Sequence, residues 1–433
     1  MPHPITRVVI LLATALVLTT PHLARAEASP RADAVSRSEG AVHSDAATQP
    51  ESTMAELFTR ATLREAVTTL RTRHARAPDD ALVEYALGTA LFLRAIEQLT
   101  QDLYRYGLRS ESPELPFVRL PVPDNPDPEV LTYEAWRAVL QRFTDNLASA
   151  AEVLGGVEDP TVKLRLPMGL IRVDLDGDGS AGPEERLWRL VTTVAWRAAK
   201  LSEEDKAFPI AFDAADAHWM IGYSHLLRAL TELWLGHDTR AFHDYVGGVF
   251  FAGAPNPRIG LRAGPDAVGG FSAGRLADII AAIHLISFDV TEPERVARVR
   301  THLLEMISQS RASWTDIQAE TDDDREWIPN AQQTSLTPLD VDAAQILGWQ
   351  AFLDEAEAVL EGRSLLPHWR VDGLGINLRR VFEEPGTLDL VLWVHGAAAL
   401  PYLERGRIVS ERTARSLAAA FEGRFLAFAV WFQ

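Results

Sequence analysis

Cysteine is absent from all 433 residues. That excludes disulfides, thiolate zinc sites, a catalytic cysteine and a lipid-modified cysteine, so stability has to come from packing and bound ions. Lysine is scarce too, standing only at Lys163, Lys200 and Lys206, and arginine carries the remaining basic charge. Positive charge is outnumbered, with 42 Lys and Arg against 60 Asp and Glu, a formal charge of -18. A nucleic-acid backbone or an anionic lipid surface is repelled by such a field unless a basic patch reverses it, so neither is the expected partner; a cation is. Past the first residues no stretch offers about 18 uninterrupted apolar residues, and the mature chain is not expected to be membrane-embedded. Strand-like alternation does not recur either.

The start of the chain carries an address. A weakly basic opening ending at Arg7 leads into "VVILLATALVLTT", and Ala24 and Ala26 make an A-x-A site before Glu27. Residues 1–26 read as a secretory signal peptide, with the periplasm or the medium as destination. Residues 27–53 are small and polar, too poor in large apolar side chains to order themselves, and read as a disordered spacer. Residues 54–433, with globular proportions of charge and apolar content, are expected to form one helical domain.

Within it Leu63, Val67 and Leu70 share a helical face, and 81–104 is a second helical run. Its Leu87-Gly88 after "APDD" has a faint tetratricopeptide look, but no second copy follows at the period of about 34 residues, so a helical hairpin is expected. Proline density rules out regular helix over 109–130, where Phe117, Val118 and Leu120 would pack the segment down. Further helices are expected at 131–155, 184–201, 213–236, 239–250, 273–287, 291–312, 338–361 and 409–421. The stripe Trp219, Tyr223, Leu226, Leu230 and Leu233 is the clearest. "LDLVLWV" at 388–394 suits a strand or a buried helix. The expected class is all-α: a compact multi-helix body with long Pro- and Gly-containing loops.

One loop has specific chemistry. In "DLDGDGSAGPEE", Asp174, Asp176 and Asp178 alternate, Gly179 follows, and Glu185 closes the segment. Residues 174–185 resemble the calcium-binding loop of an EF-hand. The resemblance implies carboxylate oxygens from Asp174, Asp176 and Asp178, a sharp turn at Gly179, the backbone carbonyl of Ser180, a water at Gly182 and a bidentate Glu185. Four converging carboxylates repel one another unless a hard divalent cation sits between them, and about seven flexible oxygens favour calcium over magnesium. The entering segment contains Pro167 and Gly169, Ala181 stands where paired loops place a branched residue, and "ETDDDREW" at 320–327 lacks the glycine and the last glutamate. A lone structural calcium site, not a paired sensor, is therefore expected.

Other signals are weaker. "GFSAG" at 270–274 matches the nucleophile-elbow pattern, but no apolar strand precedes it and His395-Gly396 comes after it, so Ser272 reads as a helix cap. His218 and His225, close behind Asp213 and Asp216, could hold a second metal only if another helix supplied a ligand; otherwise they bond locally. The loops holding Arg325 and Trp327, and His368, Trp369 and Arg370, suit either packing or a ligand site. The expectation is an exported calcium-binding protein, a non-catalytic binding or scaffold component of the cell envelope with a protein or small-molecule partner. The alternative is an exported hydrolase with its site in the loops around 253–272 and 322–337.

Overall fold

Most helix starts among the described residues are set by side chains that satisfy the first free N–H groups. The computed structural model describes residues 48–110, 122–189, 206–207, 209–257, 273–333 and 341–410. Helix α1 (Thr48–Arg60) leads into α2 (Leu63–Arg76), where Thr62 accepts from the Glu65 N–H and the Glu65 carboxylate accepts from the Thr62 N–H. Asp80 caps α3 (Ala81–Arg105) and Thr132 caps α4 (Tyr133–Leu154). Asp213 and Asp216 form a reciprocal cap on α5 (Ala214–Leu235), which α6 (Arg240–Phe250) follows. Then come α7 (Ala273–His284), α8 (Pro293–Ala319), α9 (Ala343–Leu360) and the short α10 (Leu378–Glu383) and α11 (Leu390–His395).

The most extensive helix contact is α5 against α8, followed by α3 against α4 and α4 against α5. Trp314, Trp349, Tyr85, Phe58 and Phe212 are fully buried among them, as are Leu63 and Leu70. The expected stripe on α5 is only part of what that helix buries. Trp219 is buried but Leu230 is 45% exposed, because α3, α4 and α8 all contact α5 and its inward surface is wider than one stripe.

The fold is mainly helical, and all-α is too strict. Three small antiparallel sheets occur among the described residues: β1 (Leu164–Pro167) with β2 (Pro209–Phe212), β3 (Ser287–Phe288) with β6 (Leu388–Asp389), and β5 (Gly375–Ile376) between β4 (Leu366–Pro367) and β7 (Leu403–Glu404). Strands of two to four residues are too short to print an alternating pattern. Residues 388–394 are both things at once: β6, then α11, whose first turn Asp389 caps through the Leu392 N–H at 2.8 Å.

Boundaries differ in places. α1 begins at Thr48, ahead of the expected start at 54, and α8 runs on to Ala319, past the expected 312. The signal peptide, most of the spacer, Phe117, Val118, Leu120, Ser272 and nearly all of the 409–421 helix lie outside the described residues. Only the start of the 184–201 helix falls within them, and there Pro183–Glu185 forms a 3-10 turn. Val122, after the proline-dense stretch, is buried with Leu103, Tyr106, Leu131 and Phe251. Among the described residues no helix is long and apolar enough to cross a membrane.

Candidate metal centre

The loop at 174–185 is held shut at its base by two backbone hydrogen bonds. Val173 N donates to Glu185 O at 3.0 Å and Leu187 N to Ile171 O at 2.9 Å, while Ile171, Val173 and Leu175 are buried on the core side. Above this clasp Gly177 and Gly179 take φ of +80° and +87°, the left-handed region open to glycine. The backbone then turns its N–H groups onto the acids. Asp174 accepts from Gly177 at 2.7 Å on one oxygen and from Gly179 at 3.1 Å on the other. Glu185 accepts from Leu175 at 2.9 Å and Gly182 at 2.7 Å in the same way.

These bonds aim the carboxylates. Asp174, Asp176 and Glu185 each present an oxygen, all within 4.8 Å of one another. A carboxylate oxygen holding one N–H still has a lone pair, so the bonds orient the group without using up its donor capacity. The assembled donors are oxygens alone, which suits a hard cation and not a thiophilic or imidazole-seeking metal. Asp178 stands apart from this set: it is exposed and its carboxylate takes the Ser180 N–H at 2.7 Å and hydroxyl at 2.8 Å. Of the five residues expected from the sequence, three therefore meet, while Asp178 and Ser180 are engaged with each other.

Helix α3 supplies a wall that the sequence did not reveal. Glu97 accepts from Asp174 N at 2.7 Å, Gln101 donates to Asp174 O at 2.8 Å, and Arg94 bonds to both Glu97 and Gln101. Burial lifts the Glu97 carboxyl to about 7 against the pull of Arg94 and the Asp174 N–H, and the Asp174 charge adds to the rise. A cavity of about 360 Å³ adjoins the loop, with Gln101, Tyr104, Asn125, Asp176 and Gly177 in its lining.

A second acidic group lies at the start of α5. Asp213, Glu320 and Glu326 also bring oxygens within 4.8 Å of one another, with Asp213 and Glu326 buried. Burial pushes Glu320 up to about 8 and Glu326 to about 7, the Asp213 charge contributing to both, while Gln333 donates to Glu320 at 3.0 Å. Burial and Asp213 also raise Asp216 well above the carboxylate range. Arg325, just before the buried Glu326, takes a left-handed backbone, φ +69°. Outside, Lys163 binds Asp322 and Arg165 binds Asp324 at 2.6 Å, so cations at the start of β1 neutralise the outer acids of this loop. Trp327 meets Trp219 edge-on at 5.5 Å, and Trp219 stacks on Tyr223 at 5.2 Å.

The histidines divide between different neighbours. His218 Nδ1 lies 2.7 Å from Gln309 Oε1, whereas His225 Nδ1 lies 3.0 Å from His302 Nδ1, so the two share no ion. Burial and Arg228 lower both His225 and His302, the latter to about 3. His368 lies with Gly396 O at 3.0 Å and stacks on Trp369, and Arg370 donates to His395 O at 3.2 Å. Trp369 belongs to a small cluster with Ile376, Ala399 and Tyr402, and Trp327 to the main core, so these two loops do not build one site. Comparison of the chain with protein-family models, with curated proteins and with solved structures gives no match.

Proposed function

We propose that this chain is an exported calcium-binding protein in which residues 174–185 hold one calcium ion constitutively. The ion would be coordinated by Asp174, Asp176 and Glu185 and would tie the loop to α3 through Asp174, Glu97 and Gln101. The observation that carries this reading is the meeting of three carboxylate oxygens within 4.8 Å, in a loop whose own N–H groups orient them. Asp174 is buried against Glu97, and two acids so placed repel; a divalent charge between the loop carboxylates offsets that repulsion. In this reading the protein is a non-catalytic binding or scaffold component of the cell envelope, with residues 1–26 as its export signal. Native mass spectrometry in calcium-containing buffer tests it: one calcium per chain is expected, and none in the double variant Asp174→Asn/Glu185→Gln. A metal-free spectrum of the unaltered chain would refute the proposal.

One observation favours the exported-hydrolase alternative. The 322–327 loop brings Glu326 to Asp213 and Glu320, and carboxyl groups raised to about 7 and 8 can donate protons near neutral pH. Esterase, peptidase and glycosidase assays on the unaltered chain and on Glu326→Gln separate the readings. Turnover abolished by Glu326→Gln would favour the hydrolase; no turnover from either leaves the calcium reading standing alone.

A further inference from the structure

Helices α5 and α8 share a second polar seam, apart from the acids at Asp213 and Glu320. His225, Arg228 and Glu232 stand three and four residues apart on α5, and Arg295, Arg298 and His302 stand three and four apart on α8, so each set occupies one helix face. The two faces meet. Glu232 binds Arg295 and Arg298 at 3.1 Å, and His225 Nδ1 lies 3.0 Å from His302 Nδ1.

Two groups in this seam are left over. His302 is 6% exposed, and its Nε2 is buried with no hydrogen-bond partner among the described residues. Arg228 is half-buried, and its Nε is buried without an acceptor in the same way. The neighbouring acids are already engaged: Glu232 by Arg295 and Arg298, Asp145 by Gln141 at 2.8 Å, and Glu305 by Gln309 at 3.2 Å. A buried donor left without an acceptor costs more than an ordinary made hydrogen bond gains, and an arginine cannot escape that cost by giving up its proton at neutral pH. Burial lowers both Arg228 and His302, and Arg228 adds to the fall at His302, so the imidazole is neutral and the positive charge stays on the guanidinium groups.

We infer that His302 and Arg228, with the more exposed Arg298 at the solvent edge, form a binding site for a small oxyanion, a carboxylate or phosphate group. The His225 Nδ1–H donates to His302 Nδ1, which leaves the remaining His302 proton on Nε2. An oxyanion then accepts from His302 Nε2–H and from Arg228 Nε–H, the two groups otherwise without partners. A metal ion on the same histidine pair would face Arg228 and Arg298 and be repelled. A chain of formal charge -18 repels anions at large, and this cluster of arginines is a local reversal of that field. The inference is independent of the ion at 174–185.

Thermal melting of the full chain at pH 7 in sodium phosphate, in sodium acetate and in sodium chloride of equal ionic strength tests it. Phosphate or acetate is expected to raise the melting temperature by at least about 2 °C over chloride, and neither is expected to do so in Arg228→Met. The larger rise identifies the group bound, phosphate or carboxylate. In chloride Arg228→Met is expected to melt no lower than the parent, because it removes a charge that has no partner. No rise with either anion would overturn the inference, as would an equal rise in Arg228→Met, which marks a general salt effect or an adventitious ion only. A variant melting well below the parent in chloride would overturn it too, by showing that Arg228 is satisfied in the empty protein. Nitrogen-15 NMR of the histidine rings gives a second readout: His302 is expected in the Nε2–H form, with its Nε2 signal moving as phosphate or acetate is added. The Nδ1–H form, or saturable zinc binding lost in His302→Gln, would overturn the inference.

Discussion

Glu185 and Asp178 look equivalent on paper, as acids of the same loop, but their surroundings separate them. Both Glu185 oxygens are fixed by backbone N–H groups next to Asp174 and Asp176, while Asp178 is exposed and bound to Ser180. Glu185→Gln is therefore expected to weaken calcium binding at least tenfold, about 1.4 kcal/mol, and Asp178→Asn by much less. Isothermal titration checks this; equal losses would mean Asp178 swings in as a full ligand. Arg325 is the other telling residue, the one non-glycine among the described residues with positive φ. A β-branched side chain is strained there, so Arg325→Val should destabilise by about 1–2 kcal/mol, whereas Arg325→Gly should stay within about 1 kcal/mol of the parent. Urea unfolding curves measure both. Equal destabilisation would show that the Arg325 side chain, not its backbone, holds Glu326 in place.

At the scale of elements, the α5 cap, the end of α8 and the 322–327 loop converge on an acidic cluster in which burial raises Asp216, Glu320 and Glu326. The unfolded glutamates release protons near 4.5, but the folded Glu326 does so at about 7 and Glu320 at about 8. Between these values the folded state binds more protons, so stability is greatest at the acid end of that window and falls as pH rises through 7 to 8. In chelator, melting temperature should decline from pH 5 to pH 9, and Glu326→Gln should flatten the decline. A melting temperature that climbs over that interval would contradict the assigned burial. This convergence also marks where sequence reading stops. The turn at 174–185 and the meeting of Asp174, Asp176 and Glu185 were suggested by acids within one short segment and by glycines at turn positions, but the outward place of Asp178 was not. Asp213, Glu320 and Glu326 come from three elements, and Glu97 is buried in an apolar helix where nothing distinguishes it from a solvent-facing acid. Helices long enough to repeat their period were readable; two-residue strands such as β3, β4, β5 and β7 were not.

For the whole molecule, the loop follows β1 and is bonded to α3 through Glu97 and Gln101, so an ion bound there would tie the loop to the helical core. Without disulfides, long-range ties in this chain are ionic and hydrogen-bonded, such as Arg137–Glu292 and Arg165–Asp324, and an ion in the loop would add to them. An ion that binds only the folded state, at a concentration 100 times its Kd, adds about 2.7 kcal/mol. The direct measurement is the melting temperature of the full chain at pH 7 in millimolar calcium and again in excess chelator. The account predicts a drop of at least about 3 °C on chelation, restored by calcium and missing in Asp174→Asn/Glu185→Gln. Identical melting in calcium and in chelator would contradict it.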